Sequence, residues 1–115
     1  MDIYHIFADH HPEVDSYEFA DKMRSFLDGM VSLGKMQNYR LTRAKLGFRS
    51  MDLPEFHVMM EFVNMQQLDD AMTSVLRNEK SIDEKHVNFN QLVDSETIQH
   101  FLYRDFPDQI DDSKS

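Results

Sequence analysis

The stretch "EFHVMMEFV", residues 55–63, decides how this chain is read. Phe56, Val58, Met60 and Phe62 alternate with Glu55, His57, Met59 and Glu61. Successive side chains on a strand point to opposite faces, so this stretch reads as a strand with one wholly apolar face. The other face mixes carboxylates, an imidazole and a thioether. A strand of this kind lays one side on a core and leaves the other for a second, more polar contact.

Working outward, Asn64 caps a helix that begins "MQQLDDAMTSVL", with Gln67 in the reciprocal capping position. Its apolar stripe is Leu68, Ala71, Met72, Val75 and Leu76. The next stretch, "EKSIDEKHVNFNQLV" (79–93), starts polar and ends on Val87, Phe89 and Leu92, which a short helix or turn would lay on the core. A strand then covers about 97–106 and stops at Pro107. Upstream, "RSMDLP" (49–54) contains Asp52 and Pro54 and reads as a hairpin-like link to a strand at about 38–48. "VDSYEFADKMRSFLDGMVSLG" (14–34) reads as a helix over about 16–33. Asp15 or Ser16 caps it, Phe19, Met23, Phe26, Leu27, Met30 and Leu33 form its stripe, and Gly34 ends it. Residues 2–10 form the first strand, apolar in part on both faces, as suits a central position. Which of its faces meets the helices is not set by that pattern.

The order strand, helix, strand, strand, helix, strand is the ferredoxin-like α+β arrangement. It puts two helices on one face of a four-stranded antiparallel sheet. The single domain spans residues 1–107, and 108–115 form a polar tail. Alternation assigns His57, Met59, Leu41, Phe101 and Tyr103 to the open face, too apolar a set to leave in water. A second copy of the same sheet is the economical cover, which predicts a homodimer.

Composition narrows the function. The net charge is −9, and the basic cluster Arg40, Arg43, Lys45 and Arg49 reads as edge-strand charge that discourages stray pairing. No concentrated basic face is available for nucleic acid. The chain has no cysteine, no apolar run near the ~20 residues of a membrane span and no signal-peptide pattern, so a cytoplasmic protein is expected. Nine Met and nine Phe supply an adaptable apolar interior. No nucleophile–base arrangement, phosphate loop or dinucleotide fingerprint is present, and no cofactor is expected.

The histidines are the chemical candidates. Asp9, His10 and His11 sit together before Pro12, but adjacent strand residues point apart. They read as a solvated strand exit, and no metal site is expected. His57 and His100, with Glu61 and Arg104, are expected to line a small polar site or to pair with each other.

"YHIF" (4–7), "FHVMMEF" (56–62), "HVNF" (86–89) and "FLYRDFP" (101–107) together resemble the dimeric α/β-barrel superfamily, and within it the stress-responsive barrel proteins. The superfamily holds polyketide cyclases, haem-degrading and quinol-forming monooxygenases, and many proteins of unknown role. The resemblance implies that His86, followed by Val-x-Phe, is a general acid/base and that His5 lines the pocket. The cyclases pair that histidine with an upstream tyrosine, where this chain has Lys80. The haem-degrading members rely on tryptophan, which is absent here. The first reading is a homodimer that binds a small, largely apolar ligand (fatty-acid-, polyketide- or quinone-like) between sheet and helices. Its expected contacts are His5, Phe7, Phe19, Met23, Phe26, Leu27, Met30 and His86. The alternatives are a cofactor-free enzyme of cyclase or monooxygenase type using His86, and a purely structural dimerisation module.

Overall fold

The computed structural model describes residues 1–45, 47–76 and 91–107. Its elements run β1 (Asp2–His10), α1 (Ser16–Ser32), β2 (Asn38–Arg43), β3 (Phe56–Phe62), α2 (Met65–Leu76) and β4 (Val93–Arg104). The four strands form one antiparallel sheet in the order β2-β3-β1-β4. This is the ferredoxin-like order read from the sequence. No helix among the described residues is long and apolar enough to cross a membrane.

Local chemistry sets the ends of the helices. The Asp15 carboxylate accepts from the backbone N–H groups of Tyr17 (3.1 Å) and Glu18 (3.2 Å), two donors that α1 leaves unpaired. At its other end Gly34 takes φ 72°, a left-handed conformation that side chains resist. The N–H groups of Gly34 and Lys35 then turn back to the carbonyls of Val31 (3.0 Å) and Met30 (2.9 Å), which closes α1. Asn64 Oδ1 accepts from the Gln67 N–H at 2.9 Å and starts α2. The Gln67 amide also donates to the Gly34 carbonyl and to Gln37 Oε1, so one side chain ties the start of α2 to the end of α1.

Strand register fixes which side chains share a face. Asp2, Tyr4, Ile6 and Ala8 of β1 stand opposite Phe62, Met60, Val58 and Phe56 of β3. Those four β3 residues are buried beneath α1 and α2 with Phe19, Phe26, Leu27, Leu68 and Ala71. Ile3, His5, Phe7 and Asp9 therefore take the open face. Buried Asp2, 3% exposed, is neutralised by Arg104, whose Nε lies 2.5 Å from its Oδ1. An unpaired carboxylate at that depth would be expensive.

Several boundaries and faces differ from the sequence reading. β2 ends at Arg43 rather than near residue 48. After the Ala44 N–H meets the Glu55 carbonyl (2.7 Å) the chain turns away, and Gly47 at φ 69° sits in the connection. Lys45 and Arg49 thus lie beyond the edge strand. Leu41 stands opposite Val58 and packs on the core, so it belongs to the helix face, and Arg40 and Thr42 take the open face in its place. β4 starts at Val93, earlier than expected, because a register shift between Phe7 and Asp9 carries the pairing onward. There the Thr97 hydroxyl accepts from the Asp9 N–H (2.9 Å) and donates to the Asp94 carbonyl (2.6 Å). Met72 is exposed on α2, whereas Leu68 and Ala71 are buried. Leu92 packs against the core as expected. Val87 and Phe89 lie outside the described residues, as does the side chain of Leu76.

Phe62, 1% exposed, anchors β3 against the helices. Phe62→Ala should cost about 3–5 kcal/mol in urea unfolding, as truncation of a fully packed aromatic does. A cost below about 1 kcal/mol would show that this position is not packed as described.

Candidate functional site

The helix face is not packed solid. A cavity of ≈ 320 Å³ lies between α1 and the sheet. Its walls are Met23, Phe26 and Leu27 from α1, and Tyr4, Ile6 and Ala8 from β1, with Val58 and Met60 behind. At its β4 side stand Ile98 and His100. A smaller space of ≈ 170 Å³ shares Tyr4, Ile6, Phe26 and Met60 as a wall and is bounded by Met30, Met36 and Val75 further along. Unbranched methionines suit such walls, because they re-pack around guests of different shape.

The polar feature of the cavity is a pair that the sequence reading missed. The Tyr4 hydroxyl lies 2.9 Å from His100 Nδ1, with the rings edge to face at 5.9 Å. Burial raises the Tyr4 pKa, which keeps the phenol protonated at neutral pH. The phenol then donates to Nδ1 when the imidazole carries its proton on Nε2. Register brings the two together: Tyr4 stands opposite Leu102, and Ile6, its neighbour on the same face, stands opposite His100. The signal was the strand alternation itself, which needed the β1–β4 register to be used.

Of the expected contacts, Met23, Phe26 and Leu27 line the cavity, and Met30 lines the smaller space. Phe19 is fully buried against the rings of His10 (5.4 Å) and Phe56 (5.0 Å) and is core, not wall. His5 and Phe7 lie on the other side of the sheet, so they cannot share a pocket with these residues. His86, the expected acid/base, lies outside the described residues, as does Lys80.

On the open face His5 and His57 meet each other. His5 Nδ1 and His57 Nε2 are 2.9 Å apart, and the rings are nearly parallel at 5.1 Å. Phe7 stacks on His57 at 4.1 Å and 5°, Tyr103 stands edge-on to His5 at 5.1 Å, and Phe101 edge-on to Phe7 at 6.0 Å. Burial lowers the pKa of both histidines, and the charge of His5 lowers His57 further. The contact needs one nitrogen to donate and the other to accept, so protonating both rings breaks it.

The remaining histidines separate. His57 and His100 lie on opposite faces and do not pair, and Arg104 is held by Asp2 rather than joining them. His10 is not a solvated strand exit. It is half-buried on the helix face, where Nδ1 donates to the His11 carbonyl (2.7 Å) and Nε2 meets the Ser16 hydroxyl (2.8 Å). It therefore braces the start of α1. Among the described residues no group of three or more His, Cys, Asp or Glu is placed to hold a metal ion.

The fold and its two distinct faces define a ferredoxin-like α+β protein. The chain belongs to a family of unknown function, DUF6614, whose model matches residues 1–114. No curated protein matches it. Among solved structures, the protein At3g17210 of Arabidopsis thaliana is similar, with TM-score 0.66, 11% identity, and coverage of 96% of this chain and 100% of that one. A dimeric ferredoxin-like protein of unknown function from Jannaschia sp. CCS1 matches with TM-score 0.64 and 12% identity, over 91% of this chain and 100% of that one. SnoaB of Streptomyces nogalater, a cofactor-independent oxygenase, matches with TM-score 0.61 and 13% identity, over 93% and 96%. At these identities the likeness is one of fold.

The histidine pair makes stability depend on pH. Both folded-state pKa values lie below the ordinary 6.5, so below neutrality the folded chain binds fewer protons than the unfolded one. Their favourable contribution is complete above the unfolded pKa and is lost as pH falls through it toward the depressed values. The melting temperature should therefore drop between about pH 7.5 and about pH 5, and the His5→Gln/His57→Gln double variant should drop less. Equal drops in the two proteins would show that the pair does not titrate as described.

Proposed function

We propose that this protein binds a small, largely apolar molecule between α1 and the sheet, and acts as a homodimer closed through the open sheet face. The observation that carries the reading is the ≈ 320 Å³ apolar cavity with the Tyr4–His100 pair at its wall. Its size lies in the range of small-molecule sites, and an apolar lining with a few convergent polar groups is their usual composition. The ligand would be fatty-acid-, polyketide- or quinone-like, its apolar body against Met23, Phe26 and Leu27 and one oxygen toward Tyr4 and His100. This replaces the polar contact expected from His5, which lies on the other face of the sheet.

The dimer accounts for the open face. Ile3, Phe7, Met59, Phe101 and Tyr103 lie there around the histidine pair, and Phe101 and Tyr103 are exposed in the single chain. Covering such a patch with its own copy satisfies both at once, and the similar Jannaschia protein is dimeric. A second reading is a cofactor-free enzyme. The Tyr4–His100 contact supports it, because a phenol hydrogen-bonded to an imidazole can pass a proton to or from a bound substrate. The similar fold of SnoaB, a cofactor-independent oxygenase, is compatible with it. His86 stays a candidate acid/base in this reading.

Native mass spectrometry of gently purified protein should record a dimer that carries a small molecule. Tyr4→Phe should keep the dimer and weaken binding of the released molecule by roughly three- to tenfold, the worth of one hydrogen bond. Phe101→Arg should give monomer. A dimer with no adduct that also takes up no long-chain fatty acid or quinone would overturn the binding reading. A wild-type monomer at micromolar concentration would overturn the dimer.

A further inference from the structure

A second hollow, of ≈ 380 Å³, lies on the opposite side of the sheet at the end of β3, under the β2–β3 connection. Its composition differs from that of the helix-face cavity. Phe7 and His57, stacked ring on ring, form one wall. Arg43 and Arg49 stand at its rim, with Phe48 and Met51 beside them. Phe48 is 86% and Met51 65% exposed, which is unusual for apolar residues of that size so close together.

The charge is equally local. The chain carries −9 overall, yet Arg40, Arg43, Lys45 and Arg49 fall within ten residues that run into this hollow. A positive rim on an acidic molecule concentrates anions at that one place. Arg43, which pairs with Phe56 in the β2–β3 register, holds its guanidinium over the Phe56 ring at 5.4 Å and beside Glu55, and Arg49 is the less committed of the two. Arg43 Nε meets Glu55 at 3.2 Å, but both side chains are about half exposed, and such surface pairs contribute little. Arg49 donates through one nitrogen to the Leu53 carbonyl, which leaves donors of its planar fork to spare. A carboxylate matches that fork in two parallel hydrogen bonds. The flat hydrocarbon beside the rim, Phe48 and the Phe7–His57 stack, suits a planar ring.

We propose that this hollow is a binding site for an aromatic carboxylate, separate from the cavity under α1. The carboxylate sits on Arg49 and Arg43, displacing Glu55 from Arg43, and the ring lies against Phe48 and the Phe7–His57 stack. The site draws on none of the residues that line the helix-face cavity, so it stands whether or not an apolar ligand binds there. Its Phe7–His57 wall lies on the face through which the proposed dimer closes, so it requires this end of that face to stay uncovered in the dimer.

2-Naphthoate and its neutral counterpart 2-naphthalenemethanol are the probes, titrated into the full chain and followed by amide NMR shifts. The naphthoate should bind saturably, with the largest shifts in residues 42–57, and at least about tenfold tighter than the alcohol, the worth of a charge-assisted pair. Arg49→Gln, on an exposed connection, should weaken naphthoate about tenfold and leave the alcohol unchanged. Glu55→Gln, which frees Arg43, should tighten it. Equal affinity for both probes, shifts confined to Tyr4, Ile6 and His100, or an unaltered naphthoate affinity in Arg49→Gln would each overturn the proposal.

Discussion

The molecule depends on β1 being hydrogen-bonded along both edges. With β3 on one side and β4 on the other, β1 cannot slide by one residue without turning every side chain to the wrong face. The penalty would be severe. Asp2 would leave Arg104, Ala8 would leave the core, and Phe7 would enter a space that fits alanine. That fixed register sorts the chain's chemistry into two sets. Tyr4 and Ile6 are committed to the helices, and His5 and Phe7 to the open face.

From that sorting come two environments with different physical characters. Beneath α1 the walls are apolar and include unbranched methionines, and burial keeps the Tyr4 phenol protonated beside His100. Across the sheet, aromatic rings surround two histidines that share a contact and resist charging. The first suits a guest that brings an apolar body and one oxygen. The second suits another surface of the same kind, and at one end of it stand the arginines of the β2–β3 connection.

Much of this was legible in the sequence. Alternation in residues 55–63 assigned β3 its faces correctly, and the stripe Met23, Phe26, Leu27 was read as a wall of the helix-side space. The caps at Asp15, Gly34 and Asn64 stand where their side-chain chemistry placed them. The element order followed from these.

What failed did so at β1. Its two faces are both partly apolar, so periodicity alone could not orient it, and His5 and Phe7 were assigned to a pocket they cannot reach. The partner of Tyr4 depended on pairing across 96 residues, which no local pattern encodes. Leu41 was misplaced for a related reason, since an edge strand of mixed composition takes its phase from its neighbour. The central claim is that β1 gives Tyr4 to a ligand cavity and His5 to a subunit contact. A crystal structure of the protein purified without ligand stripping tests it most directly. The account predicts two sheets face to face over the histidine pairs, with density for a small molecule beside Tyr4 and His100. A collapsed space under α1, or a dimer that joins through the helices, would contradict it.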